Sequence, residues 1–305
     1  MDSSPTVLID TNLPLPSFRR GKVRDVYGLG DKLLIVSTDR ISAFDVILPC
    51  GIPGKGKVLN QLSAFWFAET ANIIPNHLIK VIDDNVVLNE VKNLLNQPGE
   101  IPDSLIGRSM LVYKAERIPV ECVVRGYLSG SAWAEYKETG KVGDISLPHG
   151  LKESQELPQP LFTPTTKSDT EHDRPLTNQD IKDLGVEDIF EDLEQKSLVI
   201  YGYARDYAKT KGIIIADTKF EFGFIDGKLA LIDELLTPDS SRFWDVSQYE
   251  VGHSQPSFDK QVVRDWLSVS GWDKTPPAPM LPPEVIERTS KRYREVYGRL
   301  TGRSL

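Results

Sequence analysis

The chain has 305 residues, 44 of them acidic and 36 basic, for a net charge of −8. That length holds one large or two to three smaller domains, and the acidic balance excludes recognition of nucleic acid through a broad basic surface. Cys50 and Cys122 are too few for a disulfide scaffold or a zinc cluster, no apolar run approaches the ~18 residues of a membrane span, and residues 1–18 lack a basic start followed by an apolar run. The expected setting is the cytoplasm, with neither a membrane nor a nucleic acid as partner.

Residues 1–18, with Pro5, Pro14 and Pro16, read as an extended arm. Next comes a basic run, 19–27, containing Gly21, Lys22, Val23 and Arg24, followed by Gly28 to Asp31 and the apolar strand 32–36. This predicts a glycine-turned hairpin. Lys22 and Arg24 alternate with Val23 and so share a face. Two cations beside a glycine suit a polyphosphate, although neither G-x-x-x-x-G-K-[ST] nor G-x-G-x-x-G is present. The plain alternative is a hairpin edge guarded by charge. Asp39, Arg40 and Asp45 are polar positions among apolar ones, and for Asp39 a buried Asp–Arg pair is the simpler expectation. The run 53–57, with Gly54, Lys55 and Gly56, looks like an anion loop at the start of a helix over 58–72. That helix has Leu59, Leu62, Phe65, Trp66 and Ala68 available for its buried side. Residues 73–109 are expected to alternate short strands and polar turns, with a surface loop at 96–100.

The segment 110–125 predicts two strands with a polar break, containing Lys114 and Glu116, that ends at Pro119. Such a break suits an interdomain hinge, with Met110, Leu111 and Val120 able to hold an apolar ring. Arg125 leads into Ser129-Gly130-Ser131, and Ser131 is the expected N-cap of a helix closed by Gly140. A helix N-terminus with an upstream arginine suits a monophosphate, against simple capping. Residues 141–176 read as a long proline-punctuated loop, ending in a dense polar stretch with Lys167, Asp169 and His172. The four histidines, His77, His149, His172 and His253, lack metal-ligand spacing. A helix is expected over 187–211, with Ile189, Leu193, Ile200, Ala204 and Tyr207 on one side and Gly212 past its end.

Residues 213–224 and 228–234 flank Asp226-Gly227 and predict a β-hairpin. Alternation puts Asp217, Lys219 and Glu221 on one face and Ala216, Phe220, Phe222 and Phe224 on the other. A two-residue loop pairs Glu221 with Ile232 and brings Glu234 to the polar face. A three-residue loop pairs Lys219 with Asp233 instead. Carboxylates and an amine on a rigid sheet suit a divalent cation with phosphate oxygens, against a solvated face with a cross-strand ion pair. Beyond the hairpin come Asp239, Ser241 and Arg242, and Arg242 is expected to converge with Asp233 and Glu234. Two helices, over 259–270 and 282–299, finish the chain around a stiff proline linker at 276–279.

Eight stretches together resemble the SAICAR synthetases, the phosphoribosylaminoimidazole-succinocarboxamide synthases of purine biosynthesis. They are 21–27 (GKVRDVY), 37–45 (STDRISAFD), 57–63 (KVLNQLS), 119–125 (PVECVVR), 129–131 (SGS), 167–169 (KSD), 217–223 (DTKFEFG) and 233–242 (DELLTPDSSR). Their order covers the chain from Gly21 to about Trp266, and the longer loop and C-terminal helices are similar to the monofunctional fungal-type form. The resemblance implies a two-lobed α+β fold related to ATP-grasp, with mostly antiparallel sheets, and lobes at 1–113 and 114–258 with a helical segment at 259–305. It implies ATP and Mg2+ as cofactors, carboxyaminoimidazole ribonucleotide (CAIR) and L-aspartate as small-molecule partners, and an amide product. A monomer is the working expectation.

By the same resemblance Glu221 and Asp233 hold the metal, Gly21, Lys22, Val23 and Arg24 hold ATP phosphates, and the hinge with Met110, Lys114, Glu116 and Val120 holds adenine. Arg125, Ser131 and Arg242 hold the ribonucleotide phosphate, and Ser129, Gly130 and Ser241 are among the substrate-binding residues. Lys219, Asp169 and Asp239 face the imidazole or ribose, and Asp217 orients Lys219. The three-residue hairpin loop is favoured on this basis. The sequence names no base for the aspartate amine; Asp169 and substrate phosphate are the candidates. The competing class is a small-molecule kinase, which needs the same nucleotide residues but no pocket for an amino acid.

Overall fold

The computed structural model describes residues 7–94, 101–167 and 174–305. Its N-terminal part runs β1 (Ser17–Arg20), β2 (Arg24–Leu29), β3 (Lys32–Ser37), β4 (Arg40–Ala43), β5 (Val46–Gly51), α1 (Lys55–Glu69), β6 (Leu78–Ile82), α2 (Asn85–Leu94) and β7 (Ser109–Tyr113). There follow β8 (Glu116–Tyr127), α3 (Gly130–Thr139), β9 (Lys141–Val142), β10 (Ile145–Ser146), β11 (Glu156–Phe162), β12 (Thr165–Thr166), α4 (Asn178–Asp183) and α5 (Glu187–Thr210). The last elements are β13 (Ile213–Ile225), β14 (Lys228–Ile232), β15 (Ser241–Asp245), α6 (Gln261–Val269) and α7 (Pro283–Thr301).

Two antiparallel sheets carry the architecture. The first has the order β1-β2-β3-β7-β6, and the second has β11-β8-β13-β14, with β12 on β8 and β15 on β13. Lys114 and Ala115 link β7 of one sheet to β8 of the other, so the polar break is shorter than its sequence suggests and Pro119 lies inside β8. The sheets are not separate bodies. One apolar cluster runs from Ile35, Met110 and Val112 of the first through Val58, Leu62 and Trp66 of α1 to Cys122, Phe220, Phe222 and Leu231 of the second. Buried Val58, Leu59, Leu62, Trp66 and Phe67 line the inner side of α1, with Phe65 half-buried and Ala68 exposed. Residues 259–305 have no core of their own: Val263, Leu267, Leu281 and Val285 pack with Ile41, Leu48 and Ile52 of the β4–β5 region.

The C-terminal helices and α5 sit within a few residues of their expected bounds, and Gly212 follows α5 at φ 71°. Beyond the two-residue strands β9, β10 and β12, which lie in the stretch 141–176 read as a loop, two longer elements depart from expectation. Helix α2 occupies a stretch read as strands and turns, because its β-branched Val87 and Val91, buried with Leu88, look strand-like over a short window. Strand β11 crosses the stretch read as irregular; it is an edge strand with a register shift, so Pro158 and Pro160 cost it little ladder bonding. The loop expected at 96–100 lies outside the described residues.

Strand β13 positions the site, and its faces are not simply alternating. A bulge between Ile215 and Asp217 lets two residues oppose one of β15. Ile213, Ile215, Phe220 and Phe222 therefore all enter the main core, while Ala216 packs on the opposite side with Ile214, Tyr127 and Trp244. Asp217, Lys219 and Glu221 remain on one polar face. Close packing behind them is tight. A Cβ on Gly126 of β8 would stand 2.8 Å from Cζ of Tyr201, a fully buried ring whose hydroxyl donates to the Ile215 carbonyl at 2.7 Å. Gly126→Ala is expected to cost about 2–4 kcal/mol of stability, read as a lower denaturant midpoint with an unchanged slope.

Candidate active site

The β13–β14 hairpin closes through a two-residue loop, so Glu221 pairs with Ile232; the three-residue register with Lys219 opposite Asp233 is not formed. Asp226 and Gly227 both take positive φ, 49° and 73°, which a tight two-residue turn requires. Strand β14 leaves β13 at Ile232 and β15 rejoins it at Ser241. Residues 233–240 form an arch between them, pinned where the Lys219 amide donates to the Ser240 carbonyl at 3.1 Å. Two charge clusters lie at the two ends of this arch.

The first cluster sits on the polar face of β13. The register places Glu221 directly opposite Glu121 of β8, a pairing of like charges that needs cations to be stable. They are supplied. Lys219 Nζ and Lys167 Nζ each donate to Glu121 Oε1 at 2.7 Å, and Lys167 also bonds Glu221. Asp233 reaches the cluster through its own backbone: at φ 70° it turns back from the end of β14, and its carboxylate pairs with Arg24, which stands 3.9 Å from Glu234. Burial, reinforced by the charge of Asp233, pushes Glu221 up to about 7. Asp233 is partly buried, but Arg24 outweighs that and holds its carboxyl well below the usual range. Burial works against the Lys219 ammonium, yet Glu121 and Glu221 more than offset it and raise its pKa. His77 is buried beside Arg24 and Asp233, and burial lowers it to about 4, so the ring is neutral.

The second cluster surrounds Asp217. Its Oδ2 pairs with Arg242, lies 3.7 Å from Arg125 Nη1, and is 3.4 Å from the donating Ser129 hydroxyl. Arg125 Nη2 also donates to Ser131 Oγ at 3.5 Å. The N-cap of α3 is Ser129, not Ser131. Gly130 stands at φ 58°, and a Cβ there would run into the Arg242 guanidinium. Two guanidiniums beside the start of a ten-residue helix, whose cap makes no side-chain hydrogen bond, are a combination that suits an anion.

Several residues sit elsewhere than the sequence suggested. Asp217 pairs with Arg242 and Arg125 and does not orient Lys219, because the bulge and the β15 register place Arg242 opposite it. Arg242 does not meet Asp233 and Glu234, since the arch carries it to the other end; Arg24 is the guanidinium there. Lys22 lies in the loop between β1 and β2, exposed and paired with Asp45, apart from Arg24. In that loop the Gly21 amide donates to the Arg24 carbonyl at 2.7 Å, and the Val23 carbonyl accepts from the Thr38 amide at 3.0 Å. The amide at the start of α1 is already satisfied: Asp39 Oδ1 accepts from Gly56 N at 2.9 Å. Asp39 pairs with Arg108, and Arg40 pairs with Asp25.

Met110 and Val120 are buried in the main core, while Lys114 and Glu116 are exposed at the link. The Ser241 hydroxyl is buried against that of Thr218 at 2.8 Å. Asp239 is enclosed, its side chain only 3% exposed, and bonds to Lys55. Asp169 and His172 lie outside the described residues. Glu121 and Lys167 carried no assigned role in the sequence, although an acid between buried Val120 and Cys122 was a signal. Among the described residues no three His, Cys, Asp or Glu side chains cluster to hold a metal alone. The donor set fits a hard cation that brings oxygens of its own: the Glu221 and Asp233 carboxylates plus phosphate.

Two lobes sharing a core, with carboxylates and amines gathered at one end of an arch and an arginine pair beside a helix start at the other, are the architecture of an α+β enzyme with two charged subsites. The model of the SAICAR synthetase family matches residues 17–279. The phosphoribosylaminoimidazole-succinocarboxamide synthase of Geotalea uraniireducens is 52% identical over 97% of this chain and 98% of its own. That of Thermodesulfovibrio yellowstonii is 50% identical over 97% and 99%. Among solved structures, the SAICAR synthase from Saccharomyces cerevisiae complexed with SAICAR superposes with a TM-score of 0.87 at 44% identity, covering 98% of this chain and 99% of that one. A SAICAR synthetase in complex with ADP gives 0.67 at 28% identity, covering 94% and 98%. The chain belongs to the SAICAR synthetase family. Bacterial relatives match over the same full length as the yeast enzyme, so the long form is not confined to fungi.

Proposed function

We propose that this chain is an ATP-dependent carbon–nitrogen ligase that joins L-aspartate to CAIR, giving SAICAR, ADP and phosphate through an acyl phosphate. The observation that carries this reading is the arch with a charge cluster at each end: the Glu221–Asp233–Lys219 face suits a nucleotide triphosphate, and the Arg125–Arg242–α3 pocket suits the 5′-phosphate of a ribonucleotide.

A carboxylate is a poor acyl donor because substitution would expel oxide. Transfer of the γ-phosphoryl group to the CAIR carboxylate converts that oxygen into a phosphate leaving group. The aspartate amine then attacks the acyl carbon, the C–O bond to phosphate breaks, and the amine gives up a proton. Such a transfer needs positioning and neutralised charge more than covalent help. Glu221 and Asp233 would hold Mg2+, which when bound neutralises phosphate oxygens. Lys219 places a fixed positive charge on the same face, where oxyanion charge develops. Arg24 keeps Asp233 ionised, and the Arg125–Arg242 pocket fixes the far end of CAIR. Sustained turnover, read as continued release of ADP and phosphate, is expected only when both CAIR and L-aspartate are present. Turnover without aspartate that leaves a stable phosphorylated product and no free phosphate would instead make the chain a small-molecule kinase.

A further inference from the structure

Helix α7 lies beyond the residues matched by the family model, which end at 279, yet it is bonded at three places to the segments that carry the site. Ser290 Oγ donates to the Pro53 carbonyl, just before α1, at 2.7 Å. Arg299 donates to Asp245 at the end of β15 and to the Gly212 carbonyl before β13, each at 2.7 Å. Between these, the Tyr293 hydroxyl donates to Asp239 Oδ1 at 2.7 Å. The other oxygen of Asp239 accepts from Lys55 Nζ at 2.7 Å, with Lys260 Nζ at 3.4 Å.

This set is closed. Tyr293 and Lys55 are both fully buried, and the Asp239 side chain is 3% exposed. Burial pushes the Tyr293 hydroxyl well above its usual pKa, so it stays a donor. A carboxylate so enclosed does not also reach into a cleft, which corrects the expectation that Asp239 faces the imidazole or ribose. What it holds is the arch. From Asp239 the chain runs back through Thr237, whose hydroxyl donates to Glu234 at 2.8 Å, and forward to Arg242 on Asp217. Leu236 at φ 51° and Asp233 at φ 70° show that the arch is bent against local backbone preference. Such a bend persists only where surrounding contacts hold it.

We propose that Tyr293 of α7, together with Lys55 of α1, positions the arch by gripping Asp239, and so sets the spacing between the acids that meet the nucleotide and the arginine that meets the ribonucleotide phosphate. The proposal rests on the functional reading above, and Tyr293 is a positioning residue that touches no substrate.

The test uses Tyr293→Phe, which keeps the ring in the core and removes only the hydroxyl. Val296→Ala, also fully buried on the same helix, is the packing control. Tyr293→Phe is expected to raise KM for CAIR about tenfold, the worth of one hydrogen bond to a charged group, with kcat and ATP affinity near wild type. It is also expected to speed hydrogen exchange of the Ser240 and Ser241 amides, which donate within the arch to the Thr237 carbonyl at 3.1 and 2.8 Å. Val296→Ala is expected to lower thermal stability at least as much while leaving KM and these amides unchanged. Wild-type exchange at the arch in Tyr293→Phe, an unchanged KM, or equal shifts in both variants would overturn the proposal. Faster exchange confined to Tyr293→Phe in an enzyme with no CAIR- and aspartate-dependent turnover would overturn the ligase reading and leave the anchoring standing.

Discussion

Lys219→Met is expected to lower kcat by about 10²–10³-fold, the usual loss when one charge aimed at a developing oxyanion is removed, while the protein still folds. The fold survives because Lys219 is not the only partner of Glu121: Lys167 stays bonded to the same oxygen at 2.7 Å. The Lys219 side chain is also 33% exposed, so losing its ion pair costs about 1 kcal/mol. Its ammonium is nevertheless held in place. Strand β13 fixes its root, the arch caps its amide, and Glu121 fixes its tip. Single-turnover rates with saturating ATP, beside a thermal melt, separate the two effects. A variant that melts far below wild type would make Lys219 a structural ion-pair partner, and near wild-type rates would remove it from the chemistry.

The polar face of β13 was legible because alternation is a local property: Asp217, Lys219 and Glu221 needed no partner strand to be recognised. The same holds for α5, whose buried Leu193, Ile200 and Ala204 repeat at helical spacing within one element. What stayed hidden depends on pairing between distant segments. Glu121 meets Lys219 across the β8–β13 register, and Arg24 meets Asp233 from the far end of the chain. No local pattern encodes either contact. Arg242 was placed with the wrong acids for the same reason: nearness in sequence to Asp233 suggested contact, but the arch and the return along β15 separate them. The hairpin is the instructive case. Its register was misread, yet Asp233 still joins the cluster, because a left-handed φ at that one residue does what the strand pairing does not.

Glu221 gives the second large effect, a pair of opposite pH trends. Its folded pKa, about 7, lies above its ordinary 4.5. The folded state therefore holds a proton that the unfolded chain releases. That difference is a stabilising contribution of about 3 kcal/mol, fully present below pH 4.5 and lost as pH rises through 7. Asp233, held low by Arg24, titrates far below this window. His77 runs the other way: its folded pKa, about 4, lies below its ordinary 6.5, so its contribution is present above 6.5 and fades as pH falls toward 4. The two offset each other in the wild-type curve, and the difference between Glu221→Gln and wild type isolates Glu221. Gln resembles the protonated acid, so the variant is expected to gain thermal stability over wild type as pH rises from 5 to 8. Nucleotide binding should move oppositely. A divalent ion needs the ionised carboxylate, so wild-type affinity for Mg–ADP is expected to fall about tenfold from pH 8 to pH 6, with a proton released on binding. Glu221→Gln should bind Mg–ADP at least about 100-fold more weakly, with that pH dependence gone. Calorimetric titration in buffers of different ionisation enthalpy counts the proton directly. Equal Mg–ADP affinity in wild type and variant across this range would take Glu221 out of the metal site, leaving its raised pKa as a cost of burial beside Asp233 and nothing more.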